Sequence, residues 1–218
     1  MKLFKTRDAQ KSKKKYFENR AKAYELYIRM PVISKIRKDE RKIINELIEN
    51  HITKDDSVLE IGCGTGYYTA YVAERCKKLT AIDLSEKMVQ LTSKKIKKLG
   101  LENVDVQNMD INKFSSDQKF DKVFCIGVLD YVKEPLSFLQ KCSNLSSGSI
   151  IVTAPNKSVF SKTMKVYAKL TKAEHKYYTD DELKNSLVDS GFKDVEMFET
   201  GMKTKLTNGA TLIAVAKK

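Results

Sequence analysis

Tryptophan is absent from this chain of 218 residues, proline occurs three times and histidine only twice. So little proline leaves no material for a proline-rich stalk or linker. Four cysteines (Cys63, Cys76, Cys125 and Cys142) include no C-x-x-C pair, which removes the common signatures of a zinc site or a redox couple. No metal site is expected, and a reduced, cytoplasmic protein is the simplest reading. No apolar run approaches the ~20 residues that a helix needs to span a bilayer. The opening residues, M-K-L-F-K-T-R-D-A-Q-K, carry charge where a signal peptide has an apolar core.

What is present is ordinary globular material, 41% hydrophobic and long enough for one α/β domain with a full core. The net charge of +13 is unevenly distributed. Residues 1–22 hold nine Lys/Arg against two Asp/Glu, and residues 155–178 hold six Lys against one Glu, which leaves the remainder at only +1. Charge concentrated in this way speaks to partners and not to fold.

Apolar periodicity predicts helices over residues 6–30 and 34–50, with Pro31 between them as a residue that does not continue a helix. Strands are then expected at 57–61, 79–83, 104–109, 122–126 and 149–153. They alternate with helices at 67–76, 86–99 and 135–142. Strict β/α alternation implies a parallel, doubly wound sheet with right-handed crossovers. Two final strands, 192–200 and 210–216, have no helix between them and should pair antiparallel. The expectation is a basic helical cap over 1–50 and one domain over 51–218, with residues 155–178 as an insert.

Residues 58–68 read V-L-E-I-G-C-G-T-G-Y-Y, and Asp83 ends the next apolar run, L-T-A-I-D. Glycines at 62, 64 and 66 let a backbone lie against a ligand where a Cβ would intrude. An acidic residue about 20 positions past such a loop is where a nucleotide-binding unit places its ribose acceptor. A dinucleotide fingerprint is G-x-G-x-x-G, whereas this chain has G-x-G-x-G with Glu60 two residues ahead. That pattern resembles motif I of the class I S-adenosylmethionine-dependent methyltransferases, whose sheet has seven strands and ends in an antiparallel hairpin.

The resemblance implies S-adenosylmethionine as cofactor. Glu60, Gly62, Cys63, Gly64 and Gly66 would surround its methionine part, helped by the amide dipoles of the helix that starts near Tyr67. Asp83 would accept the ribose hydroxyls, and Leu84 would lie on the adenine, with Met88 close by. Asn108-Met109-Asp110-Ile111 resembles the family's adenine-edge motif, with Asp110 accepting from the exocyclic amine. Ile126 would reach the cofactor through backbone atoms. The lysine-rich start resembles the family's capping segment, in which Tyr16, Phe17 or Tyr24 would close over the cofactor.

On the substrate side, G-V-L-D-Y-V-K-E-P is similar to the L-E-H-V-x-D-P segment of the ubiquinone- and menaquinone-biosynthesis methyltransferases, with Tyr131 where that branch often has His. The [DN]-P-P-[YF] motif of enzymes that methylate nucleobase or glutamine amines is absent. A base is needed only where the acceptor arrives un-ionised; His175, Tyr131 and Tyr178 are the candidates, with Tyr177 beside them. His51 precedes the first strand, on the side away from the crevice, and reads as a surface or capping residue. Drawn as a helix, residues 156–172 put Val159, Phe160, Met164 and Leu170 on one side and Lys162, Lys165, Lys169 and Lys172 on the other. Such a helix is either packed with solvated lysines or a lid that admits an apolar or anionic substrate, possible at a membrane surface. Residues 177–201 also resemble magnesium-protoporphyrin methyltransferases.

Three functions stand open on this reading. The first is a methyltransferase acting on an O or C atom of a small, apolar or anionic molecule. The second is an RNA methyltransferase that holds phosphate with its basic tail. The third is a non-catalytic, membrane-surface adaptor that binds the cofactor.

Overall fold

The computed structural model describes residues 31–157, 176–200 and 211–218. The chain enters through helix α1 (Pro31–His51), then runs β1 (Ser57–Ile61), α2 (Tyr67–Ala73), β2 (Lys78–Asp83), α3 (Glu86–Leu99) and β3 (Val104–Asn108). It continues through β4 (Phe120–Cys125), a 3-10 turn (Leu129–Tyr131), α4 (Pro135–Leu145), β5 (Ser146–Pro155), α5 (Asp180–Asp189), β6 (Lys193–Thr200) and β7 (Thr211–Lys217). The residue that cannot continue a helix thus begins one, since the missing N–H of a proline is no loss in a first turn. Helix α5 is an element that apolar periodicity alone did not bring out. Its start is nevertheless written in the chain, because Thr179 and Glu182 form a reciprocal capping box.

The seven strands form one sheet in the order β3-β2-β1-β4-β5-β7-β6. β1 to β5 are parallel, and β7 inserts antiparallel between β5 and β6. The terminal hairpin is therefore as the sequence predicts. Along each central strand, successive side chains go to opposite faces. Val58, Leu79 and Phe124 meet Ile44 and Ile48 of α1 and Val72 of α2 on one face. Leu59, Ile82 and Val123 meet Phe138 and Leu139 of α4 and Leu183 of α5 on the other.

All four cysteines are buried and unbridged. Among the described residues no helix is long and apolar enough to cross a membrane, and no cluster of His, Cys, Asp and Glu is arranged to hold a metal. His51 ends α1 at the amino edge of the sheet. Its proton affinity is lowered by burial and then by Lys122 and Lys217, with Glu196 opposing.

The strand order positions the site. From β1 the chain steps outward through β2 to β3, then returns to the other flank of β1 for β4 and β5. The connections at the carboxyl ends of β1 and β4 diverge, and in open α/β sheets that divergence opens a crevice.

Candidate functional site

The glycine loop after β1 is fastened at both ends. Gly62 and Cys63 donate their N–H groups to the Ile82 carbonyl at 2.8 and 3.2 Å, and Gly66 donates to Cys63 at 2.9 Å. Gly62 has φ +80°, and a Cβ there would stand 2.3 Å from Val128 Cγ2. Gly66 has φ +74°, and a Cβ there would meet three atoms of Thr92 at 3.0–3.1 Å. Both positions therefore need glycine for conformation and for space. Among the described residues, a Cβ at Gly64 would meet only the Gly62 carbonyl, at 4.0 Å, and one at Gly127 would meet nothing within 4 Å. Among the described residues those two glycines face open space, as the floor of a ligand crevice should.

Two polar ties hold the loop to its neighbours, and a third joins the turn after β3 to that after β2. Thr92, in α3, donates its hydroxyl to the Gly64 carbonyl at 2.9 Å. Asp83, at the end of β2, accepts the Gly64 N–H at 3.0 Å on Oδ2 and the Ser85 N–H at 2.8 Å on Oδ1. The Asn108 side chain donates to the carbonyls of Asp83 and Leu84 at 3.0 and 3.1 Å, and Met109 N–H also reaches the Asp83 carbonyl at 3.0 Å. The turns after β1, β2 and β3 are thereby locked into one unit. Each oxygen of Asp83 keeps an acceptor site after its bond to the backbone, since a carboxylate has about four.

Burial raises the proton affinity of Asp83, and the N–H groups of Ser85 and Gly64 counter it. Glu60 is different. It is 3% exposed, and its Oε2 has no hydrogen-bond partner among the described residues. Desolvation lifts its pKa to about 7, with the Thr69 hydroxyl pulling the other way and the charge of Asp83 adding to the rise. A buried carboxyl oxygen without a partner beside a glycine-lined floor fits a ligand that brings a hydrogen-bond donor. The sequence reading did not anticipate the parts of Thr69, Thr92 and Val128. A threonine on a helix face gives no signal of its own, and only the loop's approach reveals it.

The remaining residues singled out from the sequence distribute as follows. Leu84, Met109, Asp110 and Ile111 line the turns after β2 and β3, and Asp110 Oδ1 accepts the main-chain and side-chain N–H groups of Asn112 at 3.0 Å. Met88, 7% exposed, sits in the first turn of α3, and Cys63 is also buried. Ile126 and Gly127 follow β4, where the Gly127 N–H bonds the Thr153 hydroxyl at 2.9 Å. Tyr131 ends the 3-10 turn on the same edge of the sheet and is half-buried. Tyr178 is 2% exposed, belongs to the core and has no partner for its hydroxyl among the described residues. Burial, then Asp130 and Glu182, hold its proton more firmly than usual. A phenol so placed can donate a hydrogen bond but is no base at neutral pH.

Tyr16, Phe17, Tyr24, His175 and the lysine-rich face of the insert lie outside the described residues. The stems of that insert are described. Tyr178 N–H bonds the Pro155 carbonyl and Lys157 N–H bonds the Tyr178 carbonyl, both at 2.9 Å, while Lys157 pairs with Glu182. Lys176 N–H reaches the Asp130 carbonyl at 2.9 Å. Both stems are thus fixed at the carboxyl end of β5, on the edge of the sheet that carries the glycine loop.

Comparison with known proteins agrees with this geometry. Residues 52–205 match the family model described as a methyltransferase domain. A probable (S)-tetrahydroprotoberberine N-methyltransferase 2 of Papaver bracteatum is 37% identical over 94 residues, 42% of this chain and 26% of that protein. A malonyl-[acyl-carrier protein] O-methyltransferase of Priestia megaterium is 34% identical over 113 residues, 50% of this chain and 38% of that protein. The chain therefore spans well under half of these curated relatives. The crystal structure of magnesium protoporphyrin IX methyltransferase from Synechocystis PCC 6803 with bound SAH superposes with a TM-score of 0.76 at 18% identity, covering 96% of this chain and 99% of that one. By its matched residues, its strand order and its glycine loop, this chain belongs to the methyltransferase-domain family, with the fold of the class I S-adenosylmethionine-dependent methyltransferases.

Proposed function

We propose that the chain transfers a methyl group from S-adenosylmethionine to an O or C atom of a small, apolar or anionic molecule. The observation that carries the cofactor assignment is the joint presence of Asp83, tied to the Gly64 amide, and Glu60, buried with an oxygen unpaired, on either side of the glycine loop. Asp83 offers a carboxylate to a pair of vicinal hydroxyls. Glu60 and the loop offer oxygen acceptors to an ammonium. Leu84, Met109 and Ile111 supply half-buried apolar surface for a purine.

When bound, the cofactor supplies a methyl group on a positively charged sulfur. The work left to the protein is to place the acceptor atom in line with that bond, a positioning effect that can supply much of the acceleration. Tyr131 borders the open side, where a Cβ on Gly127 would meet nothing within 4 Å among the described residues. The stems of the insert, residues 155–157 and 176–178, lie at this edge. Its basic, amphipathic sequence supports an acceptor that is apolar, anionic or drawn from a membrane surface. An O or C acceptor is preferred over an amine because the motif for planar amines is absent. The two curated relatives, one an N- and one an O-methyltransferase, leave the choice of atom to the substrate side.

Methyl-labelled S-adenosylmethionine incubated with the protein and fractionated extract tests this reading. Label in the small-molecule or lipid pool supports it. Label confined to RNA would move the assignment to nucleic acid, and label in no pool would leave a binding protein.

A further inference from the structure

Glu60 occupies a position that no ionised carboxylate tolerates without a partner. It is 3% exposed at the carboxyl end of β1, between Ala81 of β2 and Phe124 of β4 in the register of the sheet. Among the described residues its Oε2 has no hydrogen-bond partner, and the Thr69 hydroxyl beside it, 0% exposed, favours the ionised form too weakly to offset desolvation. The charges and titratable groups that bear on this carboxyl come from each element around it. Asp83 of β2 contributes charge of the same sign, and Cys63 of the loop, Cys76 after α2 and Cys125 of β4 are thiols that burial keeps protonated. No cation acts on it among the described residues. An isolated charge in such a place is costly enough that the group takes up a proton instead.

Asp83 shows the alternative. It is also buried, but two backbone N–H groups meet its oxygens, so it can hold its charge. The two carboxyls of the pocket therefore differ in kind: Asp83 is preorganised as an anion and Glu60 awaits a countercharge.

We propose that Glu60 is protonated in the empty pocket and ionises when a ligand brings an ammonium group against it, so that binding of the cofactor or its demethylated product releases a proton. This inference rests on the cofactor reading above and adds the proton to it. The pKa of about 7 sets where the exchange is felt. Ligand binding favours the ionised carboxyl, so affinity is full above that pH and declines below it, about tenfold between pH 8 and pH 6. At pH 7 about half a proton leaves per ligand bound, and at pH 6 nearly one.

Isothermal titration calorimetry of the full chain with S-adenosylhomocysteine, in two buffers of different ionisation enthalpy, counts these protons directly. Native protein and Glu60→Gln are compared at pH 6, 7 and 8. Proton uptake by the ligand's own amine is common to both proteins and drops out of the comparison. The expected result is a native protein that releases more protons than the variant, by about half at pH 7 and nearly one at pH 6. If Glu60→Gln does not fold, 5′-methylthioadenosine, which has no amino-acid end, takes its place as the comparison with native protein at pH 6. Release with S-adenosylhomocysteine alone then supports the proposal. Equal proton counts in either comparison, with binding intact, overturn this inference and leave the cofactor assignment standing. Absence of binding heat at every pH overturns both.

Discussion

The carboxylate of Asp83 accepts the backbone N–H of Gly64 at 3.0 Å, across the gap between the second strand and the loop that follows the first. One side chain thus serves two ends: it holds the loop's shape, and it turns its remaining acceptor sites to the crevice. Asp83→Ala removes both. Cofactor affinity is expected to fall by about 1.5–3 kcal/mol, the range for hydrogen bonds to a charged group. Titration calorimetry checks this, and a dissociation constant equal to that of the native protein would show that Asp83 takes no part in binding.

Gly62 tests the loop's geometry. An alanine there must accept φ +80° and a Cβ that falls 2.3 Å from Val128 Cγ2. Overpacking of this kind typically costs about 1–3 kcal/mol, before the backbone strain is counted. Gly62→Ala should therefore lower the melting temperature, and adding Val128→Ala should restore only the part due to the clash. Full restoration by the second change would mean that the positive φ costs nothing.

Thr92 should act on binding through the loop without touching a ligand. Thr92→Val keeps the shape of the side chain but leaves the Gly64 carbonyl without its bond at 2.9 Å. A loss of about 1 kcal/mol in stability is expected, together with weaker cofactor binding. A variant as stable and as tight-binding as the native protein would show that the bond does not fix the loop.

The pH dependence of stability carries two opposing signs. Glu60 has a folded-state pKa raised from 4.5 to about 7. The stability tied to its neutral form is present below about 4.5, is lost as pH climbs toward 7, and stays lost above; about 3 kcal/mol is the scale of such a shift. Asp121 has the reverse sign, because the hydroxyl and N–H of Ser57 hold its pKa down. Its contribution is present above the unfolded value and is lost as pH falls through the folded one. Without ligand, the protein should be more stable near pH 5 than near pH 8, and Glu60→Gln should flatten that difference. Chemical denaturation at the two pH values measures it, and an unchanged difference in the variant would place the effect elsewhere.

Much of this architecture was legible in the chain. Helix α3 is predicted at residues 86–99 and found there, because Ser85 caps one end and Gly100, in a left-handed conformation, closes the other. The antiparallel hairpin followed from the missing helix between its strands. Helix α5 escaped because its apolar face is short, with only Leu183 and Leu187 buried. In the site, Glu60, Asp83 and the glycines announced themselves by spacing. Thr69 and Thr92 did not, since their importance arises from atoms brought close by folding and not from any pattern in sequence. Tyr178 looked like a reactive group beside a loop, yet it fills the core, because the segment 176–178 bonds back to Pro155 and Asp130.

The decisive experiment is a structure determined with S-adenosylhomocysteine bound. The ribose hydroxyls should lie on the carboxylate of Asp83, the amino-acid end along residues 62–66 with its ammonium at Glu60, and the purine beside Leu84 and Ile111. A crevice that stays empty at saturating ligand, or a ligand seated away from the glycine loop, would contradict it.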